Sequence, residues 1–268
     1  MKTMKYILAA LTVGGMMASC NTDIESLTIQ RPLTYDDQYY QNLRDYKESD
    51  HEIAFGWFAQ YGAQNSAAVR FMWGGIPSTE NTEIWEEIRF VQKVKGTKML
   101  CVAITRIDAE TDDHAFKQAY NEAKAMPNGE ERTAALNRSF EMYAEYFLDQ
   151  VFLNDLDGFD ADYEPEGDFL SGSNFEYFYK HMAKYMGPNP DITREERLQL
   201  IEERYGKEIA SREGSCDKML NIDQTSTSMT SLIPYSNYCF LQAYGGGTGA
   251  GGWPDEKVVY CCNMGDNW

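Results

Sequence analysis

The chain is poor in the residues that several kinds of chemistry require. It has three histidines in 268 residues. These are His51, His114 and His181, which show neither metal-ligand spacing nor a nearby cysteine partner pattern. No catalytic metal and no cofactor are expected. Positive charge is also scarce: 24 Lys and Arg stand against 42 Asp and Glu, a formal charge of -18. Phosphate recognition needs a basic face, so this balance excludes a nucleic-acid partner. It disfavours polyanions as well, whereas a neutral ligand meets no electrostatic barrier. One long apolar run exists, Tyr6 to Ala18 behind Lys2 and Lys5. It is shorter than the roughly 20 residues of a membrane-spanning helix and reads as a signal peptide. The glycine-rich stretch Gly245 to Gly252 lacks the Gly-Lys-Ser/Thr of a phosphate loop and reads as a flexible loop.

Cysteine usage points the same way as the leader. Met17-Ala18-Ser19-Cys20 resembles a bacterial lipobox, in which Cys20 is lipidated, and the polar, acidic Asn21 to Glu25 resembles the tether of surface lipoproteins of Bacteroidetes type. The expectation is a signal peptide over 1–20, a tether over 21–34, and an outer-membrane, cell-surface protein that meets the membrane by its lipid anchor only. Setting Cys20 aside leaves five of the six cysteines, which cannot all pair within the chain. Cys101, Cys239, Cys261 and Cys262 lie in apolar, strand-like runs and read as small core residues.

From Tyr35 onward the periodicity alternates between two types. Period-two apolar runs predict strands at 52–61, 68–76, 98–105, 158–164, 219–224, 238–244 and 257–263. Spacings of three and four predict helices at 36–49, 82–95, 113–124, 130–154, 174–186 and 193–211. Leu136, Phe140, Tyr143, Phe147 and Val151 form one unbroken stripe on the longest of these. Met-Leu-Cys-Val-Ala-Ile in the third strand is apolar throughout, as in a parallel strand buried on both faces. Alternating strands and helices over 35–268 argue for an α/β fold with a parallel sheet, and about 250 residues is the usual size of a (β/α)8 TIM barrel, the fold expected here. The Ser/Thr-rich connection Thr225 to Asn237 is too short for a full crossover helix.

The most specific feature is Asp157-Gly158-Phe159-Asp160-Ala161-Asp162-Tyr163-Glu164. On an extended strand, Asp160, Asp162 and Glu164 share one face, and apolar Phe159 and Ala161 take the other. The interleaved apolar residues argue against a solvated acidic loop. A helix-loop-helix calcium site also fails: counted from Asp155 its fifth position is Phe159, and counted from Asp160 its sixth is Pro165. The pattern Asp-Gly-x-Asp-x-Asp-x-Glu resembles the fourth-strand signature of glycoside hydrolase family 18, the chitinases and endo-β-N-acetylglucosaminidases.

That resemblance implies a glycosidase cleaving the β-1,4 bond after N-acetylglucosamine, most fittingly in the chitobiose core of N-glycans. It implies substrate-assisted retaining catalysis, in which the substrate's own 2-acetamido group attacks the anomeric carbon. Glu164 matches the general acid, Asp162 the residue that holds and polarises the acetamido group, and Asp160 the residue that shares a proton with Asp162 or orients it. Asp157 reads as structural, fixing the turn with Gly158. Gln242 and Tyr244 resemble positions that grip the acetamido oxygen in the endoglycosidase branch, with local capping and packing as the competing reading. Asp223 and Gln224 are further substrate-binding candidates. Trp57 and Trp73 fit either stacking platforms or core. Two departures point away from a typical chitinase: Val102-Ala103-Ile104-Thr105 replaces a Ser-x-Gly-Gly pattern, and Tyr163 replaces a Trp. The implied partners are an N-acetylglucosamine-containing glycan and neighbouring glycan-uptake proteins. A non-catalytic glycan-binding barrel, or a chitinase, is the alternative. Seven strands are legible, so the eighth is expected to be missing, from a truncated reading frame or, as the alternative, from a naturally incomplete barrel.

Overall fold

The computed structural model describes residues 35–51, 53–59, 71–73, 76–164, 170–225, 228–243 and 251–261, with backbone alone at 58–59 and 71–73. The expected leader and tether, Cys20, Tyr244, Cys262 and residues 245–250 of the glycine-rich loop lie outside these, as does anything beyond 261. The chain divides into Met1–Asn42 and Leu43–Trp268. The described part of the first unit holds a stack of Tyr35 on Tyr39, 3.9 Å between ring centroids, and the opening turns of α1 (Asp37–Glu48). All that follows concerns the second unit.

Seven strands run through it: β1 (Trp57–Ala59), β2 (Phe71–Trp73), β3 (Leu100–Ile104), β4 (Gly158–Tyr163), β5 (Met219–Gln224), β6 (Cys239–Leu241) and β7 (Val258–Tyr260). They pair in chain order, and every pairing is parallel. A parallel pair needs a crossover connection. From β2 to β5 these are helical: α2 (Thr82–Arg89) joins β2 to β3, α3 (Ala115–Ala125) and α4 (Glu130–Leu153) join β3 to β4, and α5 (Gly172–Met182) and α6 (Arg194–Ala210) join β4 to β5. Uninterrupted order distinguishes this winding from an open doubly wound sheet, whose strand order reverses at a switch point. The sheet curls into a barrel: the rings of Phe55 and Trp57 lie 4.6 and 5.1 Å from that of Phe240 on β6. Among the described residues, β7 and β1 do not pair with each other.

Strand alternation sorts the side chains into two cores. Leu100, Val102, Phe240 and Cys261 cluster with Phe55, Trp57, Met219, Tyr238 and Val259 inside the barrel. Cys101, Phe159, Ala161, Leu220, Ile222 and Cys239 point outward into the larger core beneath the helices. There Phe147 of α4 meets Phe159 of β4 at 4.9 Å. The stripe read on α4 is buried at Phe140, Tyr143, Phe147 and Val151. Asn81 caps α2, and Thr193 with Glu196 forms a reciprocal capping box on α6. Cys101, Cys239 and Cys216 are buried free thiols, and Cys261 is buried as well.

The structure differs from the periodicity at the end of α2. The helix expected to run to Lys95 changes at Phe90–Val94 into a π-helical turn. This wider turn carries Gln92, which donates to the Asp155 carbonyl at 3.1 Å and so tethers the helix to the approach to β4. Between β5 and β6 the chain forms a short 3-10 helix, Thr230–Tyr235, where a full crossover helix does not fit.

Candidate active site

The N-terminal end of β4 is a fixed hinge between its neighbours. Asp157 N donates to Met99 O, and Asp157 O accepts from Met219 N, each at 2.8 Å. Its carboxylate accepts from Gln92 Nε2 at 2.6 Å and Met99 N at 2.9 Å, with Lys98 Nζ at 3.5 Å. Gly158 follows because nothing larger fits: a Cβ there stands 2.2 Å from the Met219 carbonyl oxygen. The first two residues of the acidic motif are therefore mechanical, a pin and a clearance.

Beyond this pin the inward positions change character. Asp160 and Asp162 alternate with Ala161 and point into the barrel, each with 0% exposure. On β5, Asn221 lies in register with Asp160, and Asp223 with Asp162. Asn221 is fully buried and Asp223 is 2% exposed. Asp160 Oδ2 accepts from Trp57 Nε1 at 3.1 Å, a contact across the barrel interior. Asp162 Oδ1 accepts from Gln242 Nε2 at 3.1 Å. Gln242 is itself held by its backbone N–H to the Gln224 carbonyl at 3.0 Å. The Asp162 carbonyl accepts from Thr105 N at 3.2 Å and Thr105 Oγ1 at 3.0 Å, fixing the backbone at the top of β4. Glu164 comes directly after β4 and is partly buried, at the end of the strand where barrel active sites lie.

Charge in this layer is poorly compensated. Asp160 Oδ1, Asp162 Oδ2 and Asp223 Oδ1 are buried without a hydrogen-bond partner among the described residues. Burial pushes Asp162 up to about 7, and the neighbouring Glu164 adds to this, while the Gln242 amide and Arg106 oppose it. Burial raises Asp160 as well, with the Trp57 N–H opposing and Asp162 adding to the rise. Asp223 is raised by burial and then by the charges of Asp160 and Asp162. Such a layer keeps protons near neutral pH and titrates as a unit rather than residue by residue. It is equipped to hold, share and orient a proton beside Glu164. Among the described residues no group of three or more His, Cys, Asp or Glu side chains is arranged to hold a metal ion.

The structure thus brings together Asp160, Asp162, Asp223, Gln242 and Trp57, with Glu164 at the mouth. Gln224, a weaker candidate, faces the other way: it donates to Cys239 Sγ at 3.1 Å on the outer side, because alternation turns it from Asp223. Trp57 spends its indole N–H on Asp160. Tyr244 and the side chain of Trp73 lie outside the described residues. Sequence reading missed Asn221 and Arg106. Asn221-Ile222-Asp223 repeats the alternation of Asp160-Ala161-Asp162, and that parallel was the available signal. Arg106 lies in a loop after β3 and had none.

A parallel barrel wound in chain order, with carboxylates gathered at the C-terminal end of a central strand, is an arrangement that barrel glycosidases use. The comparison with protein families narrows this class. Glycoside hydrolase family 18, BT1044-like, matches residues 20–252, and the chain belongs to that family. Among solved structures it is similar to a selenomethionyl BT1044 variant, at 20% identity and a TM-score of 0.54, covering 84% of this chain and 70% of the other. It is also similar to the endo-β-N-acetylglucosaminidase from Cordyceps militaris in apo form, at 16% identity and a TM-score of 0.53, covering 85% and 73%. At these identities the likenesses establish the fold. No curated protein matches the chain.

Proposed function

We propose that this protein is an endo-β-N-acetylglucosaminidase that cleaves the β-1,4 bond of the chitobiose core of N-glycans by substrate-assisted retaining catalysis. The observation that carries the reading is the hydrogen bond from Gln242 to the buried Asp162, two residues before Glu164 on the same strand face. In this mechanism Glu164 protonates the glycosidic oxygen as the aglycone leaves. Asp162, with Gln242 against it, holds the 2-acetamido group so that its carbonyl oxygen attacks the anomeric carbon and takes the place of a protein nucleophile. Asp160 orients Asp162 from below, and the Trp57 N–H fixes Asp160 in turn. Tyr244 is assigned to the same acetamido grip. The acidic surface suits a neutral glycan. The site is proposed to work at the outer cell surface, with Cys20 as the lipid anchor and glycan-uptake proteins as neighbours.

The test is a pair of matched substrates, an N-glycan with and without the 2-acetamido group on the sugar at the scissile bond. Turnover confined to the acetamido form supports substrate assistance, and equal turnover of both overturns it. Glycan binding without turnover on any N-acetylglucosamine substrate leaves a binding protein on the same barrel. For the anchor, Cys20→Ala should release the protein from the membrane fraction; unchanged retention contradicts the assignment.

A further inference from the structure

The roles given above to Glu164, Asp162 and Asp160 leave one buried carboxylate of the layer unused. Asp223 stands on β5 directly opposite Asp162, one parallel-strand spacing of about 4.8 Å away. Its other neighbour in the sheet is Phe240 of β6. From β4 it faces Asp160, Asp162 and Glu164, all acidic, and from β6 the amide of Gln242. On the outer side the buried Cys239 thiol senses its charge. The other two carboxylates each have a stabiliser of their own: Trp57 Nε1 donates to Asp160, and Asp162 has the 3.1 Å bond from Gln242 together with the charge of Arg106. The polar group acting on Asp223 is the Gln242 amide, which it shares with Asp162. Two like charges at strand spacing in such a layer repel enough to shift an ionisation constant on the order of 100-fold. The three cannot all ionise near neutral pH, and Asp223 has the least to hold an anion.

We infer that Asp223 is a positioning residue of this site: as a neutral carboxylic acid between Asp162 and Gln242, it keeps the layer's proton and holds both side chains in the pose the acetamido group requires. The inference rests on the reading of Asp162 given above. The upward push on Asp223 from burial and from its acidic neighbours agrees with it. Asp223 thereby lets Asp162 enter turnover as the ionised member of the layer without two charges facing each other. Its place one strand away from Asp162 makes it a support of the catalytic carboxylate rather than a contact of the sugar.

The deciding experiment is a carboxyl-carbon NMR titration of the full chain with labelled aspartate, the signals assigned with Asp160→Asn, Asp162→Asn and Asp223→Asn variants. The Asp223 signal should stay protonated through pH 7, with Asp162 ionising before it. Ionisation of Asp223 below pH 5 overturns the inference, whatever the protein hydrolyses. That outcome is distinct from failure of the functional reading, which shows as absent turnover with the titration order intact. Positioning is read from the side-chain amide protons of Gln242. Their protection from solvent exchange should persist in Asp223→Asn, which keeps the neutral shape, and be lost in Asp223→Leu. Turnover supplies the final arm. Asp223→Asn should lower kcat by less than about tenfold with KM unchanged, and Asp223→Leu by more than about 100-fold. An Asn variant as damaged as the Leu variant means that the ionised carboxylate is needed, and it overturns the inference.

Discussion

The two ends of β4 use the same residue type in opposite ways. At the N-terminal end Asp157 has an amide donor from a side chain, one from the backbone and a lysine within ion-pair range. Three and five residues further, near the centre and top of the barrel, Asp160 and Asp162 each keep one oxygen buried without a partner among the described residues, and so does Asp223 beside them. A compensated carboxylate stabilises the fold, whereas an uncompensated one costs stability unless it holds a proton. The structure teaches that the lower half of the strand is built for pinning the sheet and the upper half for chemistry. Asp157 and Asp162 lie in one short motif and differ in their surroundings alone.

The comparison can be broken most forcefully at Glu164. Glu164→Gln keeps the shape of the side chain but has no proton to deliver, so turnover should fall roughly 10²–10⁴-fold, the range for general acid catalysis. That is about 3–5 kcal/mol of barrier, with glycan binding and the unfolding midpoint retained. A loss of binding equal to the loss of turnover would assign Glu164 to substrate capture instead. At the other end of the strand, Gly158→Ala should cost about 3 kcal/mol of stability in denaturant unfolding, the upper range for overpacking, because its Cβ meets the Met219 backbone. A midpoint within error of the wild type would show that β4 and β5 can separate there without penalty. Asp157→Ala should cost about 2 kcal/mol by stranding the Met99 N–H and the Gln92 amide. Turnover of the protein that remains folded should stay near wild type.

The upper layer also predicts a pH dependence of stability, and its sign differs from that of paired carboxylates. Asp160, Asp162 and Asp223 have folded pKa values raised above their unfolded ones. Their contribution is fully present below the unfolded aspartate value of about 4. It is lost as pH rises through the folded values, which for Asp162 is about 7. Between those limits each carboxyl that keeps its proton only in the folded state lowers stability by up to about 1.4 kcal/mol per pH unit. Urea unfolding from pH 4 to 8 should show this decline, and Asp160→Asn should flatten it. A rise in stability over that interval, unchanged by the substitution, contradicts the layer's electrostatics.

Much of this was legible in local sequence pattern, because strand alternation and helix periodicity are short-range properties. The inward pair Asp160 and Asp162 and the buried stripe of α4 follow from spacings of two, three and four, and the parallel α/β class from the alternation of strands with helices. What was not legible depends on contacts between distant segments. Trp57 donates to an aspartate 103 residues away, and no periodicity records that. The π-helical turn at Phe90–Val94 appears where Gln92 reaches the approach to β4, so tertiary contact accompanies the departure from a regular helix. Gln224 was grouped with Asp223 by proximity in sequence, yet alternation in β5 sends it to the outer face. Arg106 has no pattern of its own in a loop and acquires its role through nearness to Asp162.

The central claim is that the upper carboxylates serve chemistry at the expense of stability, and Asp162→Asn measured both ways at pH 8 tests it most directly. The amide keeps the shape and removes the charge that the acetamido group needs, so turnover should fall at least about 100-fold. The same change replaces a buried, poorly compensated carboxylate by a neutral group, so the unfolding midpoint should hold or rise. Turnover kept while the midpoint falls would make Asp162 a structural residue like Asp157 and contradict the account.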